Sequence, residues 1–156
     1  MDLSSMPLAT ADTTVINNNG FYPNVTVGDL VSQFAIETPY ANNTALLHSS
    51  IELAISDVNN ELATHRANAW DGYNTLAEVP SDQLNGSSQL ITLYLKAVGC
   101  FTKADCLISR LGETHRDQAA QRQQAASDNQ EYWQAQGVKY TRQLMQLSPT
   151  ATVELI

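Results

Sequence analysis

The chain has 156 residues, 43% of them apolar, with sixteen acidic against eight basic side chains and a formal charge of −8. That length suits one domain with a true core rather than two, and no apolar run reaches the roughly 20 residues that span a bilayer. So few Lys and Arg argue against a protein that grips DNA, because such affinity rests on cations that neutralise phosphates.

Residues 1–20 are rich in Ser, Thr, Asp and Asn and end in Asn17-Asn18-Asn19-Gly20, so 1–19 read as a flexible amino-terminal arm with turn chemistry. The opening lacks the basic start and apolar stretch of a secretory signal, which makes a product of the cytoplasm the expectation. In GFYPNVTVGDL, Pro23 holds Tyr22 extended. Thr26 then caps a short helix over 27 to about 37, with Asp29 completing an approximate capping box and Pro39 beyond its end.

Thr44 is the expected N-cap of a second helix, ending near Trp70-Asp71-Gly72. Its apolar stripe is Leu47, Ile51, Ala54 with Ile55, Val58 and Leu62, at steps of three and four. Burial of such aliphatics at about 1.5–3 kcal/mol each exceeds any propensity cost of its Ser and Asn residues. A loop over 71–87 follows, with a turn at Asn85-Gly86.

Ser87 or Ser88 then caps a third helix, whose stripe is Leu90, Leu93 with Tyr94, Ala97, Phe101, Ala104, Leu107 with Ile108, and Leu111. Gly99 in its middle costs about 1 kcal/mol against Ala and implies close approach of a neighbouring helix. Gly112 is its natural stop. A fourth helix over about 114–147 divides in character. Its first half is almost devoid of large apolar residues, whereas Trp133, Gly137, Tyr140, Leu144 and Leu147 form a stripe in the second. A helix polar all round either projects into solvent or meets a neighbour through polar contacts.

After Pro149 the chain closes on the strand-prone segment TVELI. The expected architecture is all-α: a four-helix bundle of one short and three longer helices over 20–148, between the arm at 1–19 and an extended docking tail at 149–156.

The charge is uneven along the chain. Residues 1–65 hold Asp2, Asp12, Asp29, Glu37, Glu52, Asp57 and Glu61 and no Lys or Arg. A surface charged for solubility and a face that repels DNA both fit this pattern.

No residue set points to catalysis. His48, His65 and His115 lack metal-ligand spacing and read as surface or helix-end residues. Asp57 and Glu61 lie one turn apart, which suits an exposed helix face better than a cation site lacking further ligands. Cys100 and Cys106, six residues apart on one helix, fall on different faces and read as reduced, partly buried thiols. Three sequon matches, at Asn24, Asn42 and Asn85, follow from an Asn- and Ser-rich composition. Trp70, Tyr132, Trp133 and Tyr140 suit core packing or a subunit interface better than nucleic-acid stacking where cations are so few. The expectation is a non-enzyme without cofactor or metal.

The landmarks GFYP at 20–23, AISDVNNELATHRANAW at 54–70, LAEVP at 76–80, LYLKAV at 93–98 and the closing TVELI occur in an order that resembles the head completion protein (GPL) family of contractile-tailed bacteriophages. The resemblance runs from about residue 20 to 156 and rests on the ordered set, VNNELA and TVELI above all. It implies a structural virion protein of the phage neck, made in the host cytoplasm. Such a protein is a head-tail connector or adaptor that adds to the portal protein after DNA packaging. Its copies form a homo-oligomeric ring of about twelve, through which DNA passes without specific binding. The ring extends the channel and offers a docking surface to the next neck or tail-completion protein.

On that basis Thr152, Val153, Glu154, Leu155 and Ile156 are expected to dock on the portal by strand addition, with ring multivalency raising the affinity. The alternative is that the tail folds back on its own bundle. Gln118, Gln121, Arg122, Gln124 and Gln130 are expected at the subunit contact or the lumen, and Asp57 and Glu61 beside the channel. Another neck component (a stopper or tail-completion ring) and a helical interaction module outside the virion are the competing readings.

Overall fold

The structure is a computed structural model that describes residues 12–37, 42–111 and 116–146, and of 109–111 and 116–129 the backbone alone. The elements are β1 (Val15–Ile16), β2 (Val25–Thr26), α1 (Val27–Gln33), α2 (Thr44–Ala69), a 3-10 turn (Leu76–Glu78), β3 (Gln83–Leu84), β4 (Ser87–Ser88), α3 (Gln89–Leu111) and α4 (Arg116–Leu144). One short and three long helices dominate, as expected. The two antiparallel ribbons, β1 with β2 and β3 with β4, are too short for residue patterning to disclose.

The arm expectation is corrected for residues 12–19. Val15 pairs with Thr26 and Ile16 with Val25. The start of α1 then draws its acceptors from this segment: Val27 N–H donates to the Thr14 carbonyl at 3.0 Å and Gly28 N–H to the Asp12 carbonyl at 2.8 Å. Those are orphan donors of a helix start. The Thr26 side chain makes no capping bond, so the expected capping box does not form. At α3, Gln89 N–H likewise donates to the Asp82 carbonyl at 2.9 Å, while the Ser88 hydroxyl bonds that of Ser81. Both helices follow directly on a strand and are capped by backbone.

Helix α1 ends four residues earlier than the expected limit of 37. Ala35 adopts a left-handed φ of 48°, and Ile36 N–H donates to the Val31 carbonyl at 3.1 Å. This is the closure of a Schellman motif, usually built on Gly, and it returns Ile36 to the core. Asn43, not Thr44, caps α2: its side chain accepts from Leu46 N–H at 3.2 Å. Helix α4 stops at Leu144, and Gln146 has a positive φ of 57°. Residues 112 and 147, the expected stop of α3 and last stripe residue of α4, lie outside the described residues.

The predicted stripe of α2 is buried throughout. On α3, Leu90, Tyr94, Ala97 and Ala104 are buried, but Ile108 is 50% exposed, a correction to the predicted stripe. Gly99 does serve a close approach, to the Phe34 ring just past α1 and not to a long helix. A Cβ at Gly137 of α4 would lie 2.7 Å from the Phe101 ring of α3, so this glycine lets the two helices pack face to face.

Candidate interaction surfaces

Four of the five sequence landmarks meet at one place. Asn19 Oδ1 accepts from Phe21 N–H and Tyr22 N–H at 3.0 and 3.2 Å, fixing GFYP as a turn. Asn18 Nδ2 donates to the Pro23 carbonyl at 3.0 Å and to Tyr94 Oη at 2.8 Å. Tyr94 in turn donates to Asn59 Oδ1 at 2.6 Å, and Asn59 Nδ2 donates to Asn18 Oδ1 at 3.0 Å. The Phe21 carbonyl accepts from Leu76 N–H at 2.9 Å. Segments 20–23, 54–70, 76–80 and 93–98 are thereby tied into one hub.

Aromatic rings fill the hub. Tyr22 stacks on Tyr94 with centroids 4.8 Å apart, Phe21 stacks on Trp70, and the Arg66 guanidinium lies 4.1 Å from the Phe21 ring centroid. Burial pushes the Tyr22 phenol up to about 12 and raises Tyr94 further. These landmarks are scaffolding, and nothing in the hub is poised for chemistry.

Several titratable groups elsewhere are engaged or buried. His48 Nε2 lies 3.0 Å from Asp12 Oδ2, and bonds from Thr14 and then His48 hold the Asp12 carboxyl down at about 2. His65 meets the Trp70 ring edge-on, and burial lowers its pKa. Cys100 and Cys106 are free and fully buried, and burial pushes both thiols up to about 11. Among the described residues, no three His, Cys, Asp or Glu side chains are grouped to hold a metal ion. No described helix is long and apolar enough to cross a membrane. His115 lies outside the described residues.

Among the concavities of the described residues, two lie on opposite sides of the α3–α4 pair. The first, of about 490 Å³, lies where α2, α3 and α4 meet, and its lining includes Leu53, Ile108, Val138 and Met145. Leu53 is 54%, Ile108 50% and Val138 43% exposed, unusual for large apolar side chains gathered in one place. Asp57, Glu61, Asp105 and Arg142 also line it.

The second groove, of about 560 Å³, is lined by Phe34, Lys96, Tyr132, Trp133 and Tyr140 among others. Tyr132 is 54% exposed and meets the edge of Trp133. Lys96 and Lys139 each place an ammonium within cation–π range of the Tyr140 ring, at 5.6 and 5.8 Å.

The sequence-predicted site residues are distributed as follows. Asp57 and Glu61 are exposed and stand together on the rim of the first groove. Gln130 is half-buried on α4. Gln118, Gln121, Arg122 and Gln124 belong to the same helix, but their side chains fall outside the described residues, as do Thr152, Val153, Glu154, Leu155 and Ile156. Sequence reasoning missed Leu53 and Val138. Both lie off the core stripes, and an apolar residue there was the available signal.

The predominantly helical body thus carries grooves lined by exposed apolar and aromatic side chains. The comparisons give the lineage. The sequence model described as phage head completion protein (GPL) matches residues 16–156, and the chain belongs to that family. Over 100 residues, 62% of this chain, it is 33% identical to a "Probable head completion/stabilization protein" of Haemophilus phage HP1 (strain HP1c1). The match spans 63% of that relative's own length. No solved structure matches. The family is one of head completion, a structural role at the phage head.

Proposed function

We propose that the protein is a head-completion adaptor: copies of it add to the portal vertex after DNA is packaged, extend the channel and present a docking surface to the next neck or tail component. Family membership across 16–156 carries this reading. A helical body with grooves on opposite sides of the α3–α4 pair supports it, because a ring subunit must offer surface to neighbours on two sides.

In this reading Thr152 to Ile156 form the portal-docking ribbon, with backbone pairing supplying affinity and Val153, Leu155 or Ile156 filling pockets. The Gln-rich first half of α4 faces a neighbour or the lumen. Electron microscopy of purified portal mixed with this protein tests the proposal, and a second ring on the portal is the expected result. Deletion of residues 152–156 should leave a helical monomer that no longer decorates portals. Binding to isolated tails instead of portals would make the protein a tail-side neck component.

A further inference from the structure

We infer that the two grooves are the two halves of one head-to-tail contact between copies of this chain. The acidic, apolar groove of one copy receives the Lys- and aromatic-bearing face of the next. This names surfaces for the self-association within the adaptor reading, but its evidence is the geometry of a single subunit.

The two faces are out of phase on both helices that build them. Lys96 and Asp105 on α3 are nine residues apart, about half a turn out of phase, and they line different grooves. On α4, Val138 of the first groove and Tyr140 of the second are two apart, roughly 200° of rotation. One subunit therefore cannot close its own grooves on each other. Distinct patches on opposite sides make a heterologous contact, which propagates into a ring or filament.

The chemistry of the faces is complementary. Asp57 and Glu61, one turn apart on α2, have no partner among the described residues and rim a floor containing exposed Leu53, Ile108 and Val138. All three lysines of the chain are Lys96, Lys103 and Lys139. Lys96 and Lys139 flank Tyr140, near Tyr132 and Trp133. Lys103, one seven-residue step beyond Lys96, is held by the Ala35 carbonyl at 2.7 Å. Exposed Tyr132 and half-buried Trp133 and Tyr140 beside cations, opposite an apolar floor beside carboxylates, are the features that give an interface its affinity and its register. The channel-side role expected for Asp57 and Glu61 is replaced here by a subunit contact.

Carbodiimide coupling of the full-length protein at high concentration and low salt, using a mixture of isotopically light and heavy copies, tests the inference without portal. Cross-links should join Asp57 or Glu61 of one copy to Lys96 or Lys139 of another. They should disappear near 1 M salt, where screening acts within about 3 Å. Two double variants complete the test: Asp57→Lys with Glu61→Lys, and exposed Lys96→Glu with half-buried Lys139→Glu. Each alone should lose self-association with its helical signal intact. An equimolar mixture should regain it, because the reversed faces are again opposite in sign.

Inter-copy cross-links through other residues, none at all, association that survives both reversals, or a mixture that stays monomeric would overturn the inference. Reversals that spare self-association but abolish portal decoration would give the grooves to the portal protein instead, also overturning it. Unsubstituted protein that self-associates through these two faces but forms no ring on portals would count against the adaptor reading alone.

Discussion

The hub around Asn18 and Tyr94 and the face around Leu53 and Ile108 each combine polar with apolar side chains, yet they do opposite things with them. In the hub, Asn18, Asn59 and Tyr94 bond one another, and the rings of Phe21, Tyr22, Trp70 and Tyr94 are buried beside them. On the face, carboxylates stand beside exposed aliphatics. Satisfied polar groups in a dry setting hold a fold together, whereas apolar area left in water is material for association. The contrast separates residues that shape the subunit from residues available to a neighbour.

The sharpest break is Tyr94→Ala. It removes a fully buried ring and strips Asn18 and Asn59 of a shared partner, so chemical denaturation should show a loss of about 3–5 kcal/mol. Its stacked neighbour Tyr22 has a buried hydroxyl without a hydrogen-bond partner among the described residues. Tyr22→Phe should therefore change stability by no more than about 0.5 kcal/mol, or raise it. A loss as large as for Tyr94 would show that both hydroxyls sustain the hub.

Leu53→Ser and Ile108→Ser, on the exposed face, should each move the unfolding midpoint by an amount equivalent to about 0.5 kcal/mol or less. Core-sized losses would mean that the face is part of the subunit's own interior.

The smallest effect is expected at Asp12. Its carboxyl titrates at about 2 in the folded chain, below the ordinary 3.8, so it stabilises the fold above about pH 4 and the contribution fades as pH falls toward 2. Acid unfolding of Asp12→Asn should be less steep across that window than that of the natural protein. Identical curves would dismiss the contact with His48 and Thr14 as a surface incident.

Much of the fold was legible because helix periodicity reports burial directly. The α2 stripe from Leu47 to Leu62 is buried as its spacing required. What escaped notice was backbone work. The capping of α1 by the Asp12 and Thr14 carbonyls leaves no residue signature, and Ala35 in a position that favours Gly hides the end of α1. The triple asparagine at 17–19 signals a turn in sequence, but its bonds to Asn59 and Tyr94 are set by tertiary approach. The acids of the face were legible as a one-turn pair on α2. Their grouping with Ile108 and Val138 was not, because it depends on how three helices cross.

The bond from Asn18 to Tyr94 spans 76 positions of sequence. A chain emerging from the ribosome therefore shows its asparagine turn long before the tyrosine that receives it has been made, and this corner must close late. A tag or fusion joined close to Asp12 would disturb this corner while leaving the long helices free to form.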